Sequence, residues 1–414
     1  MKFLTFGCLL LAAVPRPAAG ATFEIPQPSA AEVRAIDSDL VACGTRHSLS
    51  SWSDPNRGIG CARDRIRRFF EESQSAAHPV SVVIDKFQAT SDRTHNVPAP
   101  LENVYLVLEG SDPTLKKTAF LVSGHFDSMC SNWLDPACDA PGADDDASGT
   151  TASLSSARLL AGKPHRATLI FAAVSGEEQG LLGGKRLLEW AKSQGVTVGG
   201  MLNNDIVGAT NGSTDRRPRV FSDTDGFSAS RELGLWIDEF VGGVRLVFRK
   251  DRFGRGGDHL PFVEAGLPAI RFCEPREDYR HQHQTPRIEG GAEYGDLQKF
   301  MDFDLLASVA QKNAESLFKL ANAPAPPSDV TVEGAVKPAA TIIFSAAEDS
   351  EREGFEILHK ETTEARWKVL QTVATAGAHE LPLPIDNEFF AVRSVGKNGL
   401  RSIAVDGKPI VKRN

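Results

Sequence analysis

The chain has 414 residues, more than one ordinary domain needs, so length alone points to two. Hydrophobic residues make up 41% and charged residues 24%, an ordinary globular mixture that argues against disorder, collagen, a coiled coil or a polytopic membrane protein. Lysine and arginine number 46 against 54 acidic residues, a net charge of −8, which argues against a nucleic-acid partner because phosphate binding calls for a basic face.

Met1-Lys2 is a short basic start, and positions 3–14 form an apolar run in which Thr5 is the one polar member. Ala18-Ala19-Gly20-Ala21 follows, with small residues at the spacing a signal peptidase reads. Residues 1–21 therefore read as an export signal cut after Ala21; a membrane anchor or a buried helix is the competing reading. The run is too short for a stable membrane span. Export places the protein in a secreted or periplasmic compartment, as bacterial signal peptides do, where disulfides form. Cys130 and Cys138 enclose a short proline-containing loop and are expected to pair. Cys43 with Cys61 is a second pair and Cys273 is left over, free buried thiols being the alternative.

Residues 31–40 and 64–73 have helical periodicity, and 80–87 and 103–108 read as strands. The run 118–123 is almost continuously apolar, as a strand buried on both faces should be. Residues 149–160 are small and apolar at helical spacing, 167–174 is a second buried strand, and 180–194 is helical. Further strands fall at 198–206 and 267–272. This alternation predicts an α/β domain over 22–320, with a mainly parallel central sheet and helices on both faces. A proline-rich linker occupies 321–328. Beyond it, short strands at 329–333, 340–344, 354–359, 367–370 and 388–393 predict a small β-sandwich over 329–414.

In an open α/β sheet, sites gather beyond the carboxyl ends of the strands. Gly124-His125-Phe126-Asp127 follows the first buried strand, where His125 can ligate a metal while Asp127 fixes its tautomer. Gly142-Ala143-Asp144-Asp145-Asp146-Ala147-Ser148-Gly149 packs three consecutive carboxylates into a turn entering a helix. Their repulsion costs stability unless cations or the helix N-terminus offset it. A calcium loop would space its acids at alternate positions. Glu177-Glu178 follows the second buried strand, and such neighbours point different ways, one toward a metal and one toward substrate. Asn204-Asp205 ends a third strand. Asp258-His259 and the stretch containing His281 and His283 bring later histidines. Each piece alone has a bland surface reading, but a set of two histidines and three carboxylates, one of them bridging, supplies two zinc ions.

This order of motifs resembles the di-zinc aminopeptidase family, of the secreted bacterial leucyl aminopeptidase type, over about residues 40–320. Glutamate carboxypeptidases and glutaminyl cyclases are relatives of that family. The segment 329–414 resembles a fibronectin type III-like module, notably around Phe389-Phe390-Ala391-Val392. The first resemblance implies a zinc exopeptidase fold and a zinc-dependent aminopeptidase with two Zn²⁺ per chain. Its substrates would be peptides with a free N-terminus, and the enzyme would be a monomer. His125 and Asp205 would hold one zinc, Glu178 and His283 the other, and Asp145 would bridge them. Asp127 would orient His125. Glu177 would be the general base for a metal-bridging water. His281 is the alternative to His283, and Asp258 would support the pocket.

Three other readings stay open: a carboxypeptidase or dipeptidase on the same fold, a one-zinc glutaminyl cyclase-like enzyme, and a non-catalytic homologue. The first needs a cation for a terminal carboxylate, and Arg252, Arg255 and Arg280 lie close enough in sequence. An apolar side-chain pocket is expected near Phe253, Phe262, Cys273 and Tyr279.

Overall fold

The computed structural model describes residues 24–73 and 81–410. The export signal read at 1–21 lies outside the described residues, as does position 80 of the strand read at 80–87.

In chain order the first part comprises α1 (Ala30–Val41), α2 (Ile59–Glu72), β1 (Ser81–Ala89), β2 (Ala99–Leu108), β3 (Thr118–His125) and α3 (Gly149–Leu160). Next come β4 (Thr168–Val174), α4 (Leu182–Ser193), β5 (Thr197–Asn204), β6 (Arg219–Phe221), α5 (Ala229–Phe240) and β7 (Arg245–Val247). It ends with α6 (Leu260–Glu264), β8 (Ala269–Cys273), the hairpin β9 (Arg287–Glu289) and β10 (Ala292–Tyr294), and α7 (Phe303–Asn322).

One sheet has the order β1-β2-β4-β3-β5-β8-β6-β7. Its four central strands β4, β3, β5 and β8 are parallel, while β2 pairs antiparallel with β1 and β4, and β6 with β8. The fold is therefore the mainly parallel α/β arrangement that the alternation of buried strands and helices predicts.

Side chains on these strands alternate between two cores, as the two-residue period of a strand requires. Phe120 and Val122 of β3, with Leu169, Phe171 and Ala173 of β4, face a core shared with α1, α2, α3, α5 and α7. Leu121, Ile170, Ala172 and Val174 face the opposite core under α4 and α6, where Trp190 and Phe262 pack. Two long helices, α5 and α7, lie where the pattern reading places no element. Both carry side-chain N-caps, Ser228 accepting from Arg231 N and Asp302 from Leu305 N. Each buries an apolar stripe, such as Leu233, Trp236 and Ile237 on α5.

Helix α7 runs to Asn322, so the proline-rich connection is residues 323–327 rather than beginning at 321. Beyond it lie β11 (Ser328–Glu333), β12 (Ala340–Ser345), β13 (Arg352–Glu361), β14 (Lys368–Val373), β15 (Gly377–Leu381), β16 (Glu388–Gly396), β17 (Val405–Asp406) and β18 (Lys408–Pro409). They form two four-stranded sheets, β15-β12-β11-β18 and β14-β13-β16-β17, antiparallel except for the pair β11–β18. Val330, Ile342, Phe344, Phe355, Ile357 and Val392 fill the space between them. This unit docks on α5: the indole N–H of Trp236 donates to Arg401 O at 3.0 Å, and that of Trp367 to Glu232 at 2.7 Å.

Cys43 is joined to Cys61 and Cys130 to Cys138, with Cα separations of 5.9 and 6.5 Å; Cys273 is a buried free thiol.

Candidate metal centre

The carboxyl ends of the four parallel strands deliver one side chain set to one place. β3 ends on His125, β4 is followed by Glu177 and Glu178, β5 by Asp205, and β8 by the loop that carries His283. Asp145 comes from the acidic turn ahead of α3. Two overlapping groups of potential ligand atoms result, His125 with Asp145 and Asp205, and Asp145 with Glu178 and His283. Asp145 belongs to both. Its Oδ1 lies 3.2 Å from His125 Nε2, and its Oδ2 lies 2.7 Å from His283 Nε2. His283 Nε2 is also 3.0 Å from Glu178 Oε1, and His125 Nε2 is 4.0 Å from Asp205 Oδ1.

The turn that presents Asp145 is built by its flanking glycines and by other buried acids. Gly142 adopts φ +55°, and a Cβ there would come within 2.6 Å of both Asp145 O and Ser128 Cβ. Asp296 accepts the backbone N–H groups of Asp144 and Asp145 at 2.8 and 2.7 Å. Asp146 accepts from His125 N at 3.0 Å and Gly149 N at 2.8 Å. Of the three consecutive acids, Asp145 is thus the one aimed at the histidines, while Asp146 and Asp144 tie down backbone, Asp144 by accepting from Gly208 N at 2.7 Å.

Asp127 lies behind His125. His125 Nδ1 is 3.2 Å from Asp127 O and 3.5 Å from Asp127 Oδ1. Ser48 Oγ and Glu178 N both donate to Asp127 Oδ2 at 3.1 Å, and Glu177 N donates to Oδ1 at 3.3 Å. One buried carboxylate thereby fixes the ring of His125 and the start of the Glu177-Glu178 turn. Burial would raise the pKa of Asp127, but the hydrogen bond and charge of His125 bring it below the usual range.

The same contest sets the other groups. Burial pushes Asp145 up, but His283 and His125 beside it hold it well below an ordinary carboxylate. Burial lowers His283, and the carboxylates of Glu178 and Asp145 more than reverse that, raising it well above 6.5. Glu177, half-buried on the wall of the same cleft, is raised well above 4.5 by burial and by the charges of Asp205, Glu178 and Asp258. Asp258 is fully buried and pushed to about 7, chiefly by burial. It stands behind the site, against Gly184, rather than within ligand distance.

Of the two candidate histidines, His283 is in the cluster. His281 stacks on Phe300, ring centroids 3.8 Å apart, and lines a different recess. The expected apolar pocket is not there. Phe262 and Cys273 are buried in cores and Phe253 is 90% exposed; of the four residues only Tyr279 lines the cleft. Arg252 and Arg255 line it, whereas Arg280 turns away to Asp278.

Sequence reasoning missed several supporting residues. Arg271, on β8, pairs with Asp205 Oδ1 at 2.7 Å. A lone charge inside an apolar strand is itself a sign of a buried partner. Gln282 Nε2 donates to Asp145 Oδ2 at 2.9 Å, and Asp296 has no local signature. The loop closed by Cys130 and Cys138 braces the site from outside. Thr285 N donates to Ser131 Oγ at 3.0 Å, two residues beyond His283. Trp133 carries the Arg93 guanidinium over its ring, and Arg93 donates to Glu178 O at 2.7 Å.

Comparison with known proteins agrees with this geometry. The profile of peptidase family M28 matches residues 103–294, which hold every residue of the cluster. A protein of the fungus Leptosphaeria maculans named "Probable zinc metalloprotease" is 37% identical over 410 residues, covering 91% of this chain and 94% of its own. Among solved structures, the Legionella pneumophila LapA aminopeptidase superposes with a TM-score of 0.55 at 18% identity, over 71% of this chain and 72% of that one. The glutaminyl cyclase of Fimbriiglobus ruber gives 0.54 at 16% identity, over 73% and 99%. At those identities the two structures show a shared fold. The chain belongs to peptidase family M28 and is a zinc metallopeptidase.

Proposed function

We propose that this peptidase is an exported, monomeric aminopeptidase that binds two zinc ions and removes the N-terminal residue of peptides. The observation that carries the proposal is the division of Asp145, one oxygen toward each histidine. His125 and Asp205 would hold one ion, Glu178 and His283 the other, with Asp145 between them. The donor set fits, because mixed histidine nitrogen and carboxylate oxygen is what zinc takes at hydrolytic sites. The buried atoms His125 Nε2 and Glu178 Oε1 make no aligned hydrogen bond and face other members of the cluster, Asp145 Oδ1 at 3.2 Å and His283 Nε2 at 3.0 Å. When bound, the zinc pair supplies Lewis acidity that polarises the scissile carbonyl and brings a water's pKa toward neutrality.

The protein's own part is to position groups and carry a proton. Asp127 holds His125 through Nδ1 and leaves Nε2 facing the cluster. Glu177 takes the proton of the attacking water at its carboxylate and returns it to the leaving amine. Burial and the neighbouring acids Asp205, Glu178 and Asp258 raise its carboxyl above the ordinary glutamate range, the direction that makes it a stronger base. The two disulfides and the segment at 1–21 support an exported, oxidising setting.

Metal analysis of the purified full chain, together with aminoacyl anilides and their N-acetylated counterparts, tests this reading. Two zinc ions and hydrolysis that needs a free amine support it. One zinc per chain would favour a glutaminyl cyclase-like chemistry, and equal cleavage of blocked substrates would reject an aminopeptidase.

A further inference from the structure

We infer that the turn at residues 252–255 makes the cleft beside the metal ligands a subsite for a substrate carboxylate, with Arg255 as the pairing group. The inference rests on the exopeptidase reading and adds which peptides the site takes.

The cleft has a volume of about 610 Å³, and apart from the ligand cluster and Glu177 its lining carries Arg93, Arg252 and Arg255 against a single acid, Asp92. Arg252 N donates to Arg255 O at 3.0 Å, and Arg255 N donates back to Arg252 O at 3.4 Å. Phe253 and Gly254 between them have φ of +58° and +83°, the left-handed pair of a type I′ turn. The two arginines leave this turn toward the cleft, while Phe253 sits outside in solvent.

Glu277 is the carboxylate available to this wall, and it is oversubscribed. Arg219 donates to its Oε1 at 2.6 Å, and Arg252 to its Oε2 at 2.5 Å. Two guanidinium groups sharing one carboxylate leave the wall positive. Arg255 then adds a third. Its Nη1 donates to Tyr279 OH at 2.7 Å, and that hydroxyl donates in turn to Glu277 Oε2 at 2.7 Å. Among the described residues Arg255 has no carboxylate partner of its own. The guanidinium is thus held by a neutral hydroxyl, with its other N–H groups free to take a planar anion in bidentate fashion.

On the cleft's other lining, Arg93 is similarly without a carboxylate side chain within ion-pair distance. It is spent on Glu178 O and the Trp133 ring, and Asp92 beside it accepts from its backbone N–H. Apolar lining is thin, with Met129, Leu181 and Leu260 as its aliphatic members. A cleft with this balance selects charge over bulk. The carboxylate has two sources, an acidic side chain next to the scissile bond or the C-terminus of a short peptide.

The test uses zinc-loaded full chain, wild type, Arg255→Gln and Arg255→Lys, with three matched pairs. Leu-Ala against Leu-Ala-amide reads the terminal carboxylate. Leu-Glu-amide against Leu-Gln-amide reads an acidic second residue, and Glu-Ala-amide against Gln-Ala-amide an acidic first residue. The expected result is that at least one pair shows kcat/KM about 10-fold or more higher for the carboxylate member, the scale of one charge-assisted hydrogen-bonded pair. That ratio falls to near one in Arg255→Gln, is partly kept in Arg255→Lys, and shrinks with added salt. The pair that shows it identifies the source. No discrimination in any pair, or a ratio that survives in Arg255→Gln, overturns the inference. Thermal melts confirm that the variants fold, which Arg255's exposed position favours. Failure of the aminopeptidase reading shows separately, as cleavage of N-acetylated versions of the same peptides.

Discussion

Arg271 and Asp205 form a buried ion pair at the carboxyl edge of the sheet, 2.7 Å apart, with side chains 2% and 5% exposed. Arg271 also donates to Gly256 O at 2.8 Å, so one guanidinium ties a candidate zinc ligand to the loop that lines the cleft. Removing one member of such a pair leaves a buried charge unmatched. Arg271→Met should lower the stability of metal-free protein by about 3 kcal/mol in denaturant unfolding. Zinc-loaded protein should lose less, because the cation takes over as the partner of Asp205. Equal losses in the two forms would show that Arg271 acts through packing alone.

Glu177→Gln keeps the shape of the side chain and removes its ability to take a proton. Metal content should stay at the wild-type level, while kcat falls by about 10³-fold, within the range for loss of a general base. An active variant would remove Glu177 from the mechanism.

His281 and His283 are two residues apart and have separate fates. His283→Ala should lose about one equivalent of zinc and nearly all activity. His281→Ala should keep both, since that ring stacks on Phe300 outside the cluster. Zinc analysis by plasma emission separates the two cases.

His259 is fully buried, and burial together with the charges of Arg271 and Arg252 pushes its pKa from 6.5 down to about 3. It is neutral in the folded protein, with Nε2 2.7 Å from Lys250 O. A pKa depressed on folding means that the unfolded chain takes up the proton first. The contribution of His259 to stability is therefore complete above about pH 6.5 and is lost as pH falls toward about 3. Across that window, unfolding free energy should fall less steeply in His259→Gln than in wild type, by up to about 1.4 kcal/mol per pH unit. Parallel curves would show that His259 titrates normally.

What could be read from the chain divides along a physical line. His125, Asp145, Glu177, Glu178 and Asp205 stand at the ends of buried strands or at a helix start, where apolar runs mark the position and chemistry marks the residue. The structure brings His125, Asp145, Glu178, Asp205 and His283 into two overlapping groups, with Glu177 on the wall beside them. Asp296 and Gln282 were not legible because they act across about 140–150 residues of sequence, through contacts that no local pattern encodes. The expected apolar pocket fails for the same reason. Phe262 and Cys273 are apolar because they fill cores, and nothing in composition tells a core face from a cleft wall. Helices α5 and α7, by contrast, carry legible signals in the chain, amphipathic stripes and N-caps across 229–240 and 303–322.

The loop between Cys130 and Cys138 touches the neighbours of two candidate ligands at once, Thr285 near His283 and Arg93 against Glu178. Through Trp133 O, which lies 3.1 Å from His47 Nε2, it also reaches the segment whose Ser48 holds Asp127 behind His125, so its covalent closure braces the centre from both sides. In a reducing environment that closure would open, and the neighbours of Glu178, His283 and Asp127 would lose a common support. Expression of the same chain with and without oxidising conditions should then yield two populations, distinguishable by how readily a mild chelator strips the first zinc. Zinc retention should thus depend on whether Cys130 and Cys138 are joined.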